Sequence, residues 1–206
     1  MICPLCKDRL SNLIDEFYYQ CILCDSFVKE SKYYLNQEEE VAYYKLHNND
    51  VNDFGYRNFT SPVTNTVLEK FNSTHLGLDY GCGTGPVISK MLGDAGYKVI
   101  LYDPFFFSND DYLNHKYDYI FSCEVFEHFH QPAYEIEKLL NLLKPDGYLI
   151  IMTLLFDMSS DFKTWFYRND PTHVFIYTKK TIHFIAKKYN LRIDKLEDRI
   201  IVLQKI

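Results

Sequence analysis

The sequence is poor in cations, in long apolar runs and in repetition, and each shortage excludes a class of protein. Lys and Arg number 22 against 28 Asp and Glu, a formal charge of −6. Nonspecific binding to duplex DNA needs a cationic surface that displaces counterions, so none is expected, while a specific RNA partner stays open. No apolar run approaches the roughly 20 residues of a membrane helix, and the opening MICPLCKDRL lacks a signal-peptide core. The chain therefore reads as soluble and cytoplasmic, without a membrane partner. It carries no low-complexity tract, and its 47 % hydrophobic content is enough for one core with a small appendage.

Cysteines and aromatic rings stand out. Tyr and Phe number 18 and 16, enough for an aromatic-walled pocket as well as a core. Four of the six cysteines form two tight pairs, Cys3 with Cys6 and Cys21 with Cys24, spaced Cys-x2-Cys-x14-Cys-x2-Cys. Each pair fits one tight turn with both sulfurs inward, and two such turns build the tetrahedral four-sulfur cage that Zn²⁺ accepts. SNLIDEFYYQ between them alternates like a short hairpin, and so small a unit needs its metal to fold. A closed four-thiolate shell leaves no position for catalysis. The expected division is a zinc ribbon over residues 1–29, a polar helical linker or cap over 30–74 with Gly55 and Pro62 as punctuation, and a larger domain over 75–206.

In the larger domain short strands alternate with helices. LGLDY, YKVILYD, KYDYIFSCE and YLIIMTLL read as strands; PVISKMLGDAG, QPAYEIEKLLNLLKPDG and 178–189 read as helices. That rhythm predicts an α/β, Rossmann-like, mostly parallel sheet with right-handed crossovers. LRIDKLEDRIIVLQKI closes it with an antiparallel hairpin.

The turn after LGLDY, with Gly81, Gly83 and Gly85, lets backbone approach a ligand closely. A nicotinamide fingerprint runs Gly-x-Gly-x-x-Gly; here the third glycine is one position early and Pro86 follows it. Asp79, two positions before the turn, would repel a pyrophosphate at the helix N-terminus but attract a ligand with an ammonium and a sulfonium. Asp103, ending the second strand, is placed to accept hydrogen bonds from a ribose diol.

These residues resemble class I S-adenosylmethionine-dependent methyltransferases, whose first motif, acidic-x-Gly-x-Gly-x-Gly, is matched by Asp79, Gly81, Gly83 and Gly85. The resemblance runs from about Leu76 to Ile206 and implies S-adenosyl-L-methionine as cofactor. Cys82 in the turn, Asp103, and Cys123 with Glu124 after the fourth-strand segment complete the implied cofactor-binding set. Too few residues separate Asp103 from KYDYI for a helix and a third strand, so that edge must be abbreviated; Asp110 or Asp111 is the expected adenine contact.

SCEVFEHF brings Glu124, Glu127 and His128 to a strand end, where a helical turn would point them one way. With His173 from the later connection WFYRNDPTHVFIYT they make a divalent-metal set, Mg²⁺ or Mn²⁺ by oxygen preference. This set looks like those of terminal RNA ribose 2′-O-methyltransferases and of ubiquinone-pathway O-methyltransferases. The other reading has Glu124 as a cofactor contact and His128 as a helix cap. Without metal, His128 or His173 would be the general base, oriented by Asp170. Tyr167 and Arg168 are expected to line the substrate site, and Trp165 to pack.

Zinc ribbons also open ribosomal RNA base-modifying methyltransferases, with a similar CPLC. That leaves the methyl acceptor as either a small molecule or RNA. The competing class is a catalytically inactive methyltransferase-like adaptor or cofactor sensor.

Overall fold

The computed structural model describes residues 1–46 and 49–206; His47 and Asn48, within the 30–74 segment, lie outside the described residues. Three short strands come first: β1 (Asn12–Leu13), β2 (Tyr18–Gln20) and β3 (Phe27–Lys29), an antiparallel meander. Two helices follow, α1 (Gln37–Tyr44) and α2 (Phe54–Lys70). Helix α1 starts with a capping box: Asn36 accepts from the Glu39 amide and Glu39 accepts from the Asn36 amide.

Gly55 and Pro62 do not punctuate this segment; both lie inside α2. Gly55 sits in the first turn, beside the Asp53 side chain that caps it. Pro62 cannot donate to the Asn58 carbonyl four residues back, and the Ser61 hydroxyl donates to that carbonyl instead, at 2.7 Å. A local side-chain substitute lets the helix run through its proline.

The larger sheet is built from β4 (Leu76–Tyr80), β5 (Lys98–Tyr102), β6 (Tyr117–Cys123) and β7 (Leu143–Met152), with α3 (Val87–Asp94) and α4 (Pro132–Leu142) as crossovers. After a long connection come β8 (Phe175–Ile176), α5 (Lys179–Lys188), β9 (Leu191–Leu196) and β10 (Ile200–Lys205). The six strands lie in the order β5-β4-β6-β7-β10-β9, parallel through β7 and antiparallel in β10 and β9. This is the expected α/β sheet with its closing hairpin. Between β5 and β6 the described residues hold a bridged turn, Asp103 to Phe107, and a 3-10 turn, Asp110–Asn114, but no helix or further sheet strand, so β5 is the sheet edge. The helix ending in Lys-Pro-Asp-Gly stops earlier than its pattern predicts, at Leu142. Leu143 already pairs with Tyr117, and the register shift before Tyr119 absorbs the turn residues as an irregularity in β7.

Central strands buried on both faces explain their near-continuous apolar runs. Leu149 and Ile151 turn toward α4 and α5, while Ile150 and Met152 turn toward α2 and α3. The four-stranded sheet is less expected: β3 pairs antiparallel with β8, Phe27 opposite Ile176 and Val28 opposite Phe175. Strand β8 thus joins the cysteine-bearing meander to the connection that follows β7.

Gly77 in β4 is required by close approach, since a Cβ there would meet the Tyr119 ring at 2.3 Å. The Tyr119 hydroxyl is itself buried without a partner among the described residues. In chemical denaturation, Gly77→Ala is expected to lose about 1–3 kcal/mol by overpacking. Tyr119→Phe, which removes a desolvated hydroxyl, is expected to keep or raise stability, by about 1 kcal/mol.

Candidate functional site

The glycine turn leaves β4 with Gly81 and Gly83 at φ 85 and 62, in the region that disfavours side chains. Its amides are largely committed. Gly81 N and Cys82 N both donate to the Tyr102 carbonyl, at 2.8 and 3.1 Å, and Gly83 N donates to Asp103 Oδ2 at 3.0 Å. A turn whose first amides are spent internally is a poor phosphate cradle, which agrees with the spacing argument against a dinucleotide. Asp103 is held in return: its Oδ1 accepts from Phe105 N and Phe106 N at 2.9 and 3.0 Å.

Asp79 lies beneath the turn rather than on the cavity wall. Its Oδ2 accepts from Ser89 Oγ at 2.6 Å, and burial lifts its pKa to about 7 against the lowering effect of that hydroxyl. Gly85 also faces inward, because a Cβ there would stand 1.8 Å from the Asn49 carbonyl oxygen. The N-terminal segment thus lies directly against the turn.

Above the turn opens a cavity of about 970 Å³, walled by Gly81, Cys82, Gly83, Asp103, Cys123 and Glu124 on the side of the sheet. Burial raises the Cys82 and Cys123 thiols well above their usual range, so neither is a thiolate nucleophile. Glu124 turns the chain at φ 53, a strained value for a non-glycine residue. Its Oε1 accepts from Arg199 at 2.8 Å, and its Oε2 lies 3.1 Å from the Tyr167 hydroxyl oxygen, whose one proton goes to the nearer Glu127.

Glu127, His128 and His173 meet in the same cavity. Glu127 is fully buried; its Oε2 accepts from Thr153 Oγ1 at 2.8 Å and its Oε1 from the Tyr167 hydroxyl. Burial drives its pKa up. Both histidines use Nδ1 on backbone carbonyls, His128 on Thr172 O at 3.0 Å and His173 on Tyr167 O at 2.7 Å. A carbonyl only accepts, so each Nδ1 carries the proton and each Nε2 presents a lone pair. The two Nε2 atoms stand 4.0 and 3.9 Å from Glu127 Oε1, and the three ligand atoms lie within 4.8 Å of one another. Burial lowers both imidazole pKa values, His173 to about 3, so both rings are neutral. Two imidazole lone pairs therefore converge on a carboxyl oxygen, an arrangement suited to a cation or to a ligand's donors.

Three of the four residues expected to share a metal are together here, while Glu124 is engaged by Arg199. Asp170 Oδ2 is 3.9 Å from His173 Nε2, beyond hydrogen bonding, and accepts from Tyr43 OH at 3.2 Å. The ring of His173 is oriented by Tyr167 O instead. Burial works to raise the Asp170 pKa, but the hydrogen bonds it accepts from the Thr172 hydroxyl and amide prevail and lower it. Arg168 points away from the mouth, paired with Asp15 and lying over Phe17, Tyr18 and Phe162. Trp165 packs against Phe156 and Phe162 as expected. Asp110 and Asp111 are exposed in the 3-10 turn and off the cavity wall. Thr153 and Arg199 carried no local signal in the sequence: one follows a strand, the other sits in a charged hairpin turn.

The four paired cysteines are also together. Cys3 N donates to Asp8 O and Cys21 N to Ser26 O, both at 2.8 Å, while Lys7 and Asp25 close the two turns at φ 65 and 64. The turns are thus near copies of each other. Cys3 and Cys24 sulfurs lie 3.7 Å apart and those of Cys6 and Cys21 3.3 Å. Thiolates about 2.3 Å from a tetrahedral Zn²⁺ would be separated by about 3.8 Å, so the donor set fits that ion.

Residues 55–196 match the model of a methyltransferase domain. The chain belongs to this methyltransferase-domain family. The matched stretch starts in α2, so the cysteine meander and α1 lie outside it. No curated protein matches the sequence. Among solved structures, magnesium protoporphyrin IX methyltransferase from Synechocystis PCC 6803 with bound SAH is 17 % identical, with a TM-score of 0.59 over 83 % of this chain and 95 % of that one. Human N-acetylserotonin methyltransferase in complex with SAM is 14 % identical, TM-score 0.55, over 82 % of this chain and 56 % of that one. A SAM-dependent methyltransferase from Archaeoglobus fulgidus is 16 % identical, TM-score 0.53, over 72 % and 94 %. The chain thus spans 56 % of the human enzyme and 62 % of an O-methyltransferase family protein from Burkholderia thailandensis. At these identities the likeness is one of fold. No described helix of this methyltransferase-domain chain is long and apolar enough to cross a membrane.

Asp79 gives the domain a pH signature. A carboxyl whose folded pKa is raised from 3.8 to about 7 binds more protons when folded, so its contribution to stability falls as pH rises through that window. Thermal unfolding of wild type and Asp79→Asn, compared at pH 5 and pH 8, should show the wild type losing more stability, on the order of a few kcal/mol. Equal losses in both proteins would exclude this ionisation.

Proposed function

We propose that this chain transfers a methyl group from S-adenosyl-L-methionine to an oxygen of a small, uncharged or cationic acceptor. The observation that carries the reading is the convergence of His128 Nε2, His173 Nε2 and Glu127 Oε1 in the cavity that opens above the glycine turn. The cofactor's ammonium and sulfonium suit a wall that carries Asp103 and Glu124, and its ribose suits the lone pair left on Asp103 Oδ2. Bound there, it supplies an electrophilic methyl.

The chain's own residues supply the rest. A neutral imidazole Nε2 takes the acceptor's hydroxyl proton as the oxygen–methyl bond forms and the sulfur–methyl bond breaks. Glu127, 3.9 Å from His173 Nε2, stabilises the imidazolium that results. Tyr44, Phe105, Phe106 and Phe166 wall the cavity and exclude water. The same lone pairs could instead ligate a divalent ion, which would then replace the imidazole base, and this mix of one carboxylate and two imidazoles suits Mn²⁺, Fe²⁺ or Zn²⁺ better than Mg²⁺. Such an ion would supply Lewis acidity toward an acceptor hydroxyl. Cys3, Cys6, Cys21 and Cys24 would hold a second, structural Zn²⁺.

Charge favours a small acceptor over RNA. The wall carries Glu40, Asp103, Glu124, Glu127 and Asp170, and its lysine, Lys138, is paired with Glu135 at 2.7 Å. Arg199 is paired with Glu124 and Arg168 with Asp15. A polyanion needs cations that these partners already occupy. The cavity volume, about 970 Å³, accommodates a cofactor and a small acceptor together.

Calorimetry is expected to detect S-adenosylhomocysteine and not NAD. Gly85→Ala should abolish that binding, because its Cβ cannot coexist with the Asn49 carbonyl. His173→Ala should leave the affinity within a few-fold while reducing methyl transfer to a metabolite extract by roughly 10²–10⁴. Binding without transfer in wild type would favour a cofactor sensor, and no binding would sink the proposal.

A further inference from the structure

The connection carrying Tyr167, Asp170 and His173 is irregular, so its backbone carbonyls must find partners outside regular secondary structure. Several find them in the cysteine meander. Tyr18 OH donates to His173 O at 2.7 Å and reaches Arg168 O at 3.3 Å. Lys29 Nζ donates to Pro171 O at 2.9 Å and Asp170 O at 3.2 Å, and Lys29 N donates to Val174 O at 2.9 Å. Asp15 pairs with the Arg168 side chain. Tyr18 is 1 % exposed and Lys29 5 %.

Burying a lysine is costly, and an apolar side chain of similar length would fill the same space without that cost. What the amine adds is a pair of donors to two consecutive carbonyls of one loop. His173 is then fixed at three points: its carbonyl by Tyr18, its amide by Asp170 O at 3.2 Å, and its Nδ1 by Tyr167 O at 2.7 Å. With these set, the direction of Nε2 follows.

We infer that the four-cysteine meander is the positioning element of the reaction centre, with Tyr18 and Lys29 as positioning residues that hold the Asp170–His173 backbone. Its four-sulfur cluster stabilises the strands from which both side chains project, so the meander's integrity is transmitted to His173 through these hydrogen bonds. The inference rests on reading Glu127, His128 and His173 as that centre.

The test uses full-length Tyr18→Phe and Lys29→Met, each of which removes donors and preserves bulk. Diethyl pyrocarbonate modification of His173, followed by peptide mass mapping with exposed His115 as internal reference, reports local opening without needing an acceptor. Modification of His173 is expected to quicken by roughly tenfold or more as the loop opens locally. Affinity for Mn²⁺, titrated alone by electron paramagnetic resonance, should fall by about 10–100-fold. Zinc content and S-adenosylhomocysteine affinity should stay at wild-type values. Unchanged His173 reactivity in both variants, with only a lower melting temperature, would overturn the inference. If Tyr18→Phe fails to fold, Asp15→Asn carries the same readouts from the other end of the clamp. Failure of wild type to bind S-adenosylhomocysteine would refute the methyltransferase activity, while the reactivity of His173 would still decide the clamp.

Discussion

A fully buried carboxylate must have its oxygens partnered, and the site is organised around meeting that need at Glu127. Thr153 at the end of β7 and Tyr167 on the long connection both donate to it, and the Val174 amide takes its backbone carbonyl at 2.9 Å. Two strand ends and a loop are thereby drawn to one point. His128 follows Glu127 directly, and His173 precedes Val174, so the same constraint brings both imidazoles to the carboxylate. Their protonated Nδ1 atoms face carbonyls, which leaves the acceptor atoms inward.

The other half of the cavity depends on the hydrogen bonds between β4 and β5. Tyr102 O gathers two amides of the glycine turn, and Asp103 gathers a third together with two amides of its own loop. This pre-organises the turn without any phosphate. It also lets the sheet end at β5, because the strand edge and its loop are secured from one side. Missing elements at that edge are replaced by side chains: Tyr102 stacks with Tyr80 at 5.0 Å and meets Tyr112 at 3.9 Å.

Several expectations changed where a side chain substituted for backbone or where distant segments met. Pro62 does not break α2 because Ser61 takes over its carbonyl, a local effect that residue propensity does not convey. Arg168 looks like a substrate cation from its position, yet Asp15, far away in sequence, captures it. The pairing of β3 with β8 involves two short segments whose apolar residues fit a core equally well, so no pattern in either announces the partner.

Spacing alone determined the alternating strand and helix order, the glycine turn with its early third glycine, the paired cysteines and the Glu127-His128 dipeptide. These are local features, set by hydrophobic period, backbone freedom and ligand geometry over a few residues. Only the tertiary structure decided that His173 joins that dipeptide, that Glu124 is occupied by Arg199, and that the cysteine meander grips the loop behind His173. Each depends on which buried donor meets which buried acceptor. Desolvation enforces that pairing across the whole chain, and no short stretch of sequence encodes it.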